Sequence, residues 1–203
     1  LENIASMKPS RTLVLPDMLG MFDSVVLALG AFSGMAMENM TRGHGWRFLE
    51  IGRRVERALK MLEIVAASVE VFHQNDAILT PLLEFGDSFM TYRRLHFAKP
   101  KLEPVIDLLL LNETNPRSVV FQLKALARHC APLIQASPSA DGGREKELAD
   151  EILSELSSLN LAGVAAADAA VRVLPSFCRG LHARLEELSE VLSGHYFSHS
   201  VSH

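Results

Sequence analysis

Between Met40 and Phe72 apolar residues return every three to four positions, and this spacing constrains the fold more than any other feature of the chain. At about 100° per residue, Phe48, Ile51, Val55, Ala58, Leu59, Leu62, Ala66 and Val69 share one wide stripe, the core face of an amphipathic helix. The opposite side is not a plain solvated surface. There Trp46, Met61 and Ile64 frame Glu50, Arg53 and Arg57 at spacings of three and four, the pattern of a half-buried polar cluster.

Guanidinium groups stay ionised, and two of them one turn apart can grip a carboxylate or phosphate bidentately. An anion site built on Arg53 and Arg57 is therefore one reading. The other is that Glu50 and Glu56 neutralise Arg53 and Arg57, and the network only fixes helix packing.

Composition decides the class. Leu, Ala, Met, Glu and Arg abound, aromatics make up 6% and hydrophobic residues 48% of the 203 residues; this balance favours helices and excludes a disordered chain. The expectation is an all-α helical bundle of six to seven helices, in one domain, around a buried central apolar helix. A net charge of -4 supplies no basic field for nucleic acid. Cys130 and Cys178 fall inside helical patterns as small apolar residues, which suits a reducing, cytoplasmic setting. Leu1 is not an initiator Met, so the chain reads as a piece of something longer.

The expected central helix is capped by Asp17 and runs to Met40. From Met18 to Met37 its only charge is Asp23, so a membrane span has to be weighed; Asp23, Ser24 and Ser33 suit lipid poorly, and a buried soluble helix with no membrane is the reading adopted. Thr41 to Gly45 breaks the pattern, leaving Glu38, Asn39, Arg42 and His44 at its polar end, close enough to join the Glu50 cluster. Thr80-Pro81 opens a helix to about Phe97. In it Arg93 shares an angular position with Leu82 and Gly86, on the inward side, which calls for a carboxylate partner. A short helix covers Leu102 to Leu111. Asn115 caps the next, with Pro116 at its first position. A flexible segment lies near 135–144, a long helix spans Glu145 to Val173, and Pro175 starts the last one.

No phosphate loop, nucleophile elbow or dinucleotide fingerprint occurs, so no cofactor is implied. His195 and His199 share a helical face but lack a third ligand, which points to no metal.

Glu38-Asn39-Met40-Thr41-Arg42, followed by Gly45-Trp46-Arg47-Phe48-Leu49-Glu50-Ile51-Gly52-Arg53-Arg54-Val55-Glu56-Arg57-Ala58, resembles the signature of the bacterial Alpha-E family, a helical domain with a Glu-Arg motif. Met90-Thr91-Tyr92-Arg93-Arg94, Asp107 to Leu110, Asn115-Pro116-Arg117-Ser118, Gln122 and Tyr196-Phe197-Ser198-His199 look like that family's later blocks, in the same order. The family has an upstream half with an earlier Glu-Arg helix, so the chain looks like the C-terminal part of the domain. The resemblance adds Tyr92, Arg93, Asn115 and Arg117 to the candidate set of Glu38, Arg42, Trp46, Glu50, Arg53, Glu56 and Arg57. It also implies a place beside ATP-grasp-like amide ligases and transglutaminase-like proteins in peptide synthesis or modification.

Three functions follow. The first is a non-catalytic module that docks a peptide-ligating partner, its Arg-Glu cluster serving assembly or holding an acidic peptide or phosphate. The second is an enzyme of acyl or amide-bond chemistry with Glu50 or Glu56 as base and Arg53, Arg57 and Arg93 facing a developing oxyanion; a carboxylate pinned between arginines is a poor base. The third is a homo-oligomerising bundle.

Overall fold

The apolar stripe becomes a 29-residue helix, His44–Phe72, and the rest of the chain is also helical. The computed structural model describes residues 14–72, 75–136, 143–161 and 167–197. Among the described residues there are eight α-helices and no strand: α1 Leu15–Asn39, α2 His44–Phe72, α3 Leu79–Phe85, α4 Phe89–His96, α5 Leu102–Ile106, α6 Val119–Ala136, α7 Arg144–Ser157 and α8 Ala167–Phe197. The fold is all-α. The chain divides into two units, Leu1–Trp46 and Arg47–His203.

In the first unit, α1 follows an extended Val14 and takes Pro16 into its first turn, where the missing N–H costs nothing. Within its own unit, nothing among the described residues buries this helix as expected. Only Ala36 is buried, while Leu15, Leu19, Phe22, Val26, Leu27, Leu29, Phe32 and Met35 are exposed. The physical reason is that α1 is apolar around its whole circumference and needs cover on every side; within its own unit the described residues offer only the short segment from Met40 to Trp46. By length and composition it is also long and apolar enough to cross a membrane.

The second unit is organised on the α2 stripe. Ile51, Val55, Ala58, Leu62, Val65, Ala66 and Val69 join a continuous core with Leu82, Leu83, Ile106, Leu109, Leu110, Val119, Leu148, Ile152, Leu181, Leu185 and Leu188. Many of these are wholly buried, and each such leucine contributes about 1.5–3 kcal/mol by leaving water. Met61, read from its angle as a frame for the charges, is itself buried. Helices α6, α7 and α8 pack in sequence order. After α5 the chain winds one π turn, Asp107–Leu111, which sets three consecutive leucines inside and packs on α6.

The helix expected from Thr80 to Phe97 is two helices. Ser88 N–H bonds the Leu83 carbonyl at 2.9 Å and Asp87 N–H bonds that of Glu84 at 3.0 Å, while Asp87 adopts a left-handed φ of 46°. Those two bonds around a left-handed residue end α3 as a Schellman motif. Gly86 before it passes so close to the π turn and α2 that an added Cβ would sit 2.8 Å from Leu109 Cδ2 and 3.2 Å from Met61 Cε. The inward placement of Arg93 relied on an unbroken helix and fails with it: Arg93 is exposed, its guanidinium 6.0 Å from the Phe89 ring centre.

Other boundaries move by a few residues for local reasons. Asn75 Oδ1 accepts from Ala77 N–H at 3.0 Å and opens a 3-10 turn, Asp76–Ile78, ahead of α3. Ser118, not Asn115, caps α6, its Oγ accepting from Phe121 N–H at 3.2 Å. Helix α7 stops at Ser157, where Ser157 and Ser158 donate back to the carbonyls of Leu153 and Glu155 at 2.7 Å and compete with continuation. Pro175 then falls inside α8 rather than at its start. Of the segment expected to be flexible, residues 137–142 lie outside the described residues, as does His199.

Candidate functional site

Steps of three and four along α2 bring Glu50, Arg53, Arg54 and Arg57 onto one ridge. Glu50 is buried, yet both of its oxygens are engaged: Oε1 accepts from Arg53 Nη1 at 3.0 Å and Oε2 from Arg54 Nη2 at 2.7 Å. Burial alone pushes the Glu50 carboxyl up; the hydrogen bonds and charges of Arg54 and Arg53 outweigh it and hold the group below its ordinary value. A carboxylate so held is ionised at neutral pH, with each oxygen already accepting from a guanidinium group, and a lowered value makes it a poor base.

Arg54 extends the network. Its Nη1 donates to Gln122 Oε1 at 3.2 Å, and the Gln122 amide donates in turn to the Pro116 carbonyl at 2.5 Å. Glu50 thus holds two arginines, one of which ties α2 to the start of α6. Of the expected neutralisation of Arg53 and Arg57 by Glu50 and Glu56, the Glu50–Arg53 pair forms, while Glu56 is exposed and neither it nor Arg57 forms an ion pair among the described residues. Arg57 instead lies near three like charges, with Glu50 the opposing charge that acts on it. Its guanidinium is pushed below the ordinary value by burial first and then by Arg54, Arg117 and Arg53.

Arg57 and Arg117 line one recess of about 130 Å³ with Lys60, Asp87, Gln122 and the Gly86 backbone. Arg117 is paired with Asp87, and Lys60 with Glu63 at 2.8 Å; both pairs are exposed, of the kind worth about 0–1 kcal/mol and easily exchanged. The recess is smaller than the roughly 300–1,000 Å³ of sites for drug-sized ligands. It has room for a phosphate or a carboxylate.

Asn115 is a buried brace. Its Nδ2 donates to Ser88 Oγ at 3.1 Å and to the Leu108 carbonyl at 2.9 Å, and its Oδ1 accepts from Arg117 N–H at 3.1 Å, so it ties the Arg117 backbone to the segment that follows Asp87. Tyr92 is buried elsewhere, accepting from Lys101 N–H at 3.0 Å and donating to the Lys99 carbonyl at 3.4 Å. Glu38, Arg42 and Trp46 belong to the first unit. There the Arg42 guanidinium lies 4.6 Å above the Trp46 ring and donates to the Met37 carbonyl, and Glu38 is exposed.

A matching model of the Alpha-E family, described as a predicted alpha-helical domain with a conserved ER motif, covers residues 3–197. The chain belongs to the Alpha-E family. The chain is also similar to an uncharacterised protein of Mycobacterium bovis and to one of Mycobacterium tuberculosis, each 30% identical over 166 residues, or 79% of this chain. The chain spans 18% of the length of those relatives. No solved structure matches this Alpha-E chain.

Two features of the domain escape a sequence reading. Arg54, four residues after Glu50, takes the role assigned to neighbours on either side of it; the i,i+4 spacing was the available signal. Buried Glu145, in the first turn of α7, contacts His195 Nδ1 of α8, and the His195 ring stacks on Tyr196 at 4.2 Å. Burial, then Glu145 and Cys130, push the Tyr196 hydroxyl up. Burial likewise pushes the Cys130 and Cys178 thiols up to about 12, which leaves them inert at neutral pH.

Proposed function

We propose that this domain is a non-catalytic module that docks beside an ATP-grasp-like amide ligase or a transglutaminase-like protein in peptide synthesis or modification, with the Arg57–Arg117 recess holding an anionic group. One observation carries the non-catalytic part: both oxygens of Glu50 are taken by guanidinium groups from its own helix, which makes the motif glutamate a brace and not a base. The anionic group is argued from the recess, where Arg57 forms no ion pair among the described residues and the pairs of Arg117 and Lys60 are exposed. The choice of partner rests on the resemblance of the sequence blocks alone.

The test is co-expression with the neighbouring ligase. Association, together with a change in ligase turnover on adding this chain that survives Glu56→Gln, is the expected result. No association and no effect on turnover contradicts the proposal; abolition of product by Glu56→Gln in a folded chain returns the domain to the enzymes.

A second reading, homo-oligomerisation, is favoured by the exposed apolar surface of α1, where Leu27 is 79% and Leu15 68% exposed. Light scattering decides it, and a strict monomer contradicts it.

A further inference from the structure

Helix α4 ends in a conformation its sequence does not favour. Phe97 N–H bonds the Arg93 carbonyl at 3.0 Å and Phe97 itself sits at φ 49°, the left-handed position after a helix that glycine usually fills. An aromatic residue there is strained, and burial offers no compensation, because Phe97 is 89% exposed. Met90, in the first turn of that helix, is 74% exposed.

The strained residue is held in place. Buried Tyr92 accepts from Lys101 N–H and donates to the Lys99 carbonyl, clamping the hook that follows Phe97. The two side chains line an open groove of about 940 Å³ with Arg93, Arg94 and Lys99. Among the described residues neither arginine has a carboxylate partner, and Lys99 is engaged only by exposed Asp76. Apolar groups kept in water against a backbone cost, with three cations beside them, form a surface whose complement is apolar and acidic.

We propose that this groove docks an acidic, apolar peptide segment of a partner protein, with Phe97 and Met90 taking its apolar side chains and Arg93, Arg94 and Lys99 its carboxylates. The charges select this occupant over others. A second copy meeting the same patch across a two-fold axis would set Arg93 and Arg94 against their own counterparts. Nucleic acid would meet an apolar floor on a chain of net charge -4. The inference rests on the docking reading for the kind of partner, and its test is separate from that of the ligase.

The test is selection from a random-peptide display library on the purified chain, without counter-selection, followed by binding of the enriched peptides to wild type and variants. Enriched peptides are expected to combine Asp or Glu with apolar residues. They should bind at least about tenfold more weakly to Phe97→Gly and to the double variant Arg93→Glu, Arg94→Glu. Phe97→Gly should at the same time raise Tm by a few degrees, since glycine relieves the left-handed position; a loss of binding in a more stable fold separates docking from a structural role. Lack of enrichment, enrichment without acidic residues, equal binding to the variants, displacement by an RNA oligonucleotide, or a dimer that Phe97→Gly dissociates would each overturn the proposal. A ligase that associates while the groove selects nothing overturns the groove and leaves the docking module standing.

Discussion

Arg54 and Gln122, 68 residues apart in the chain, share a hydrogen bond of 3.2 Å that couples the charged ridge of α2 to the first turn of α6. Gln122 is 1% exposed, and its amide is used from both ends. Gln122→Met keeps the volume but leaves a guanidinium N–H and the Pro116 carbonyl without their partner. Chemical denaturation should show a loss of about 1–3 kcal/mol, and a double-mutant cycle with Arg54→Met a coupling of about 0.5–1.5 kcal/mol.

Glu50→Gln removes the charge that both arginines are gathered around. At neutral pH it should cost about 2 kcal/mol. The sign of its pH dependence follows from the depressed value of Glu50: its contribution is complete above the unfolded carboxylate value near 4.5 and is lost as pH falls through the lower folded value. The gap between wild type and Glu50→Gln should therefore close in acid, as measured by denaturation midpoints across pH.

Asp87→Gly tests the Schellman turn. Glycine suits the left-handed φ of 46°, and the ion pair given up with Arg117 is exposed, with Asp87 73% accessible. The variant should be as stable as wild type or more stable by up to about 1 kcal/mol on thermal melting, and Arg117 should become freer to bind an anion.

Arg57→Ala should leave stability within about 0.5 kcal/mol, because it removes a group repelled by Arg54, Arg117 and Arg53. Calorimetric titration with inorganic phosphate should show a loss of affinity of about tenfold or more. Equal phosphate binding by wild type and variant would remove the recess from the account.

Much of the fold was readable because α2 and α8 carry long stripes at helical period, as Ile51, Val55, Leu62 and Leu181, Leu185, Leu188 show. One helix end was not. The residue in the left-handed position there is Asp87, not a glycine, so the usual stop signal is missing; Gly86 is one position early and serves close packing, whereas the end near Phe97 fell where it was expected. The break at Asp87 in turn carried Arg93 out of the predicted cluster. The meeting of Glu145 and His195, 50 residues apart, and of Arg57 with Arg117 needs the tertiary fold, which no local spacing encodes.

The pKa of the Glu50 side chain, followed through its carboxyl carbon by NMR in the folded protein, tests most directly whether the motif glutamate is a brace. A value below the ordinary 4.5, rising when Arg54 is replaced by Met, is the result expected of a carboxylate held by two guanidinium groups. A value raised toward neutrality would contradict it and mark Glu50 as a working base.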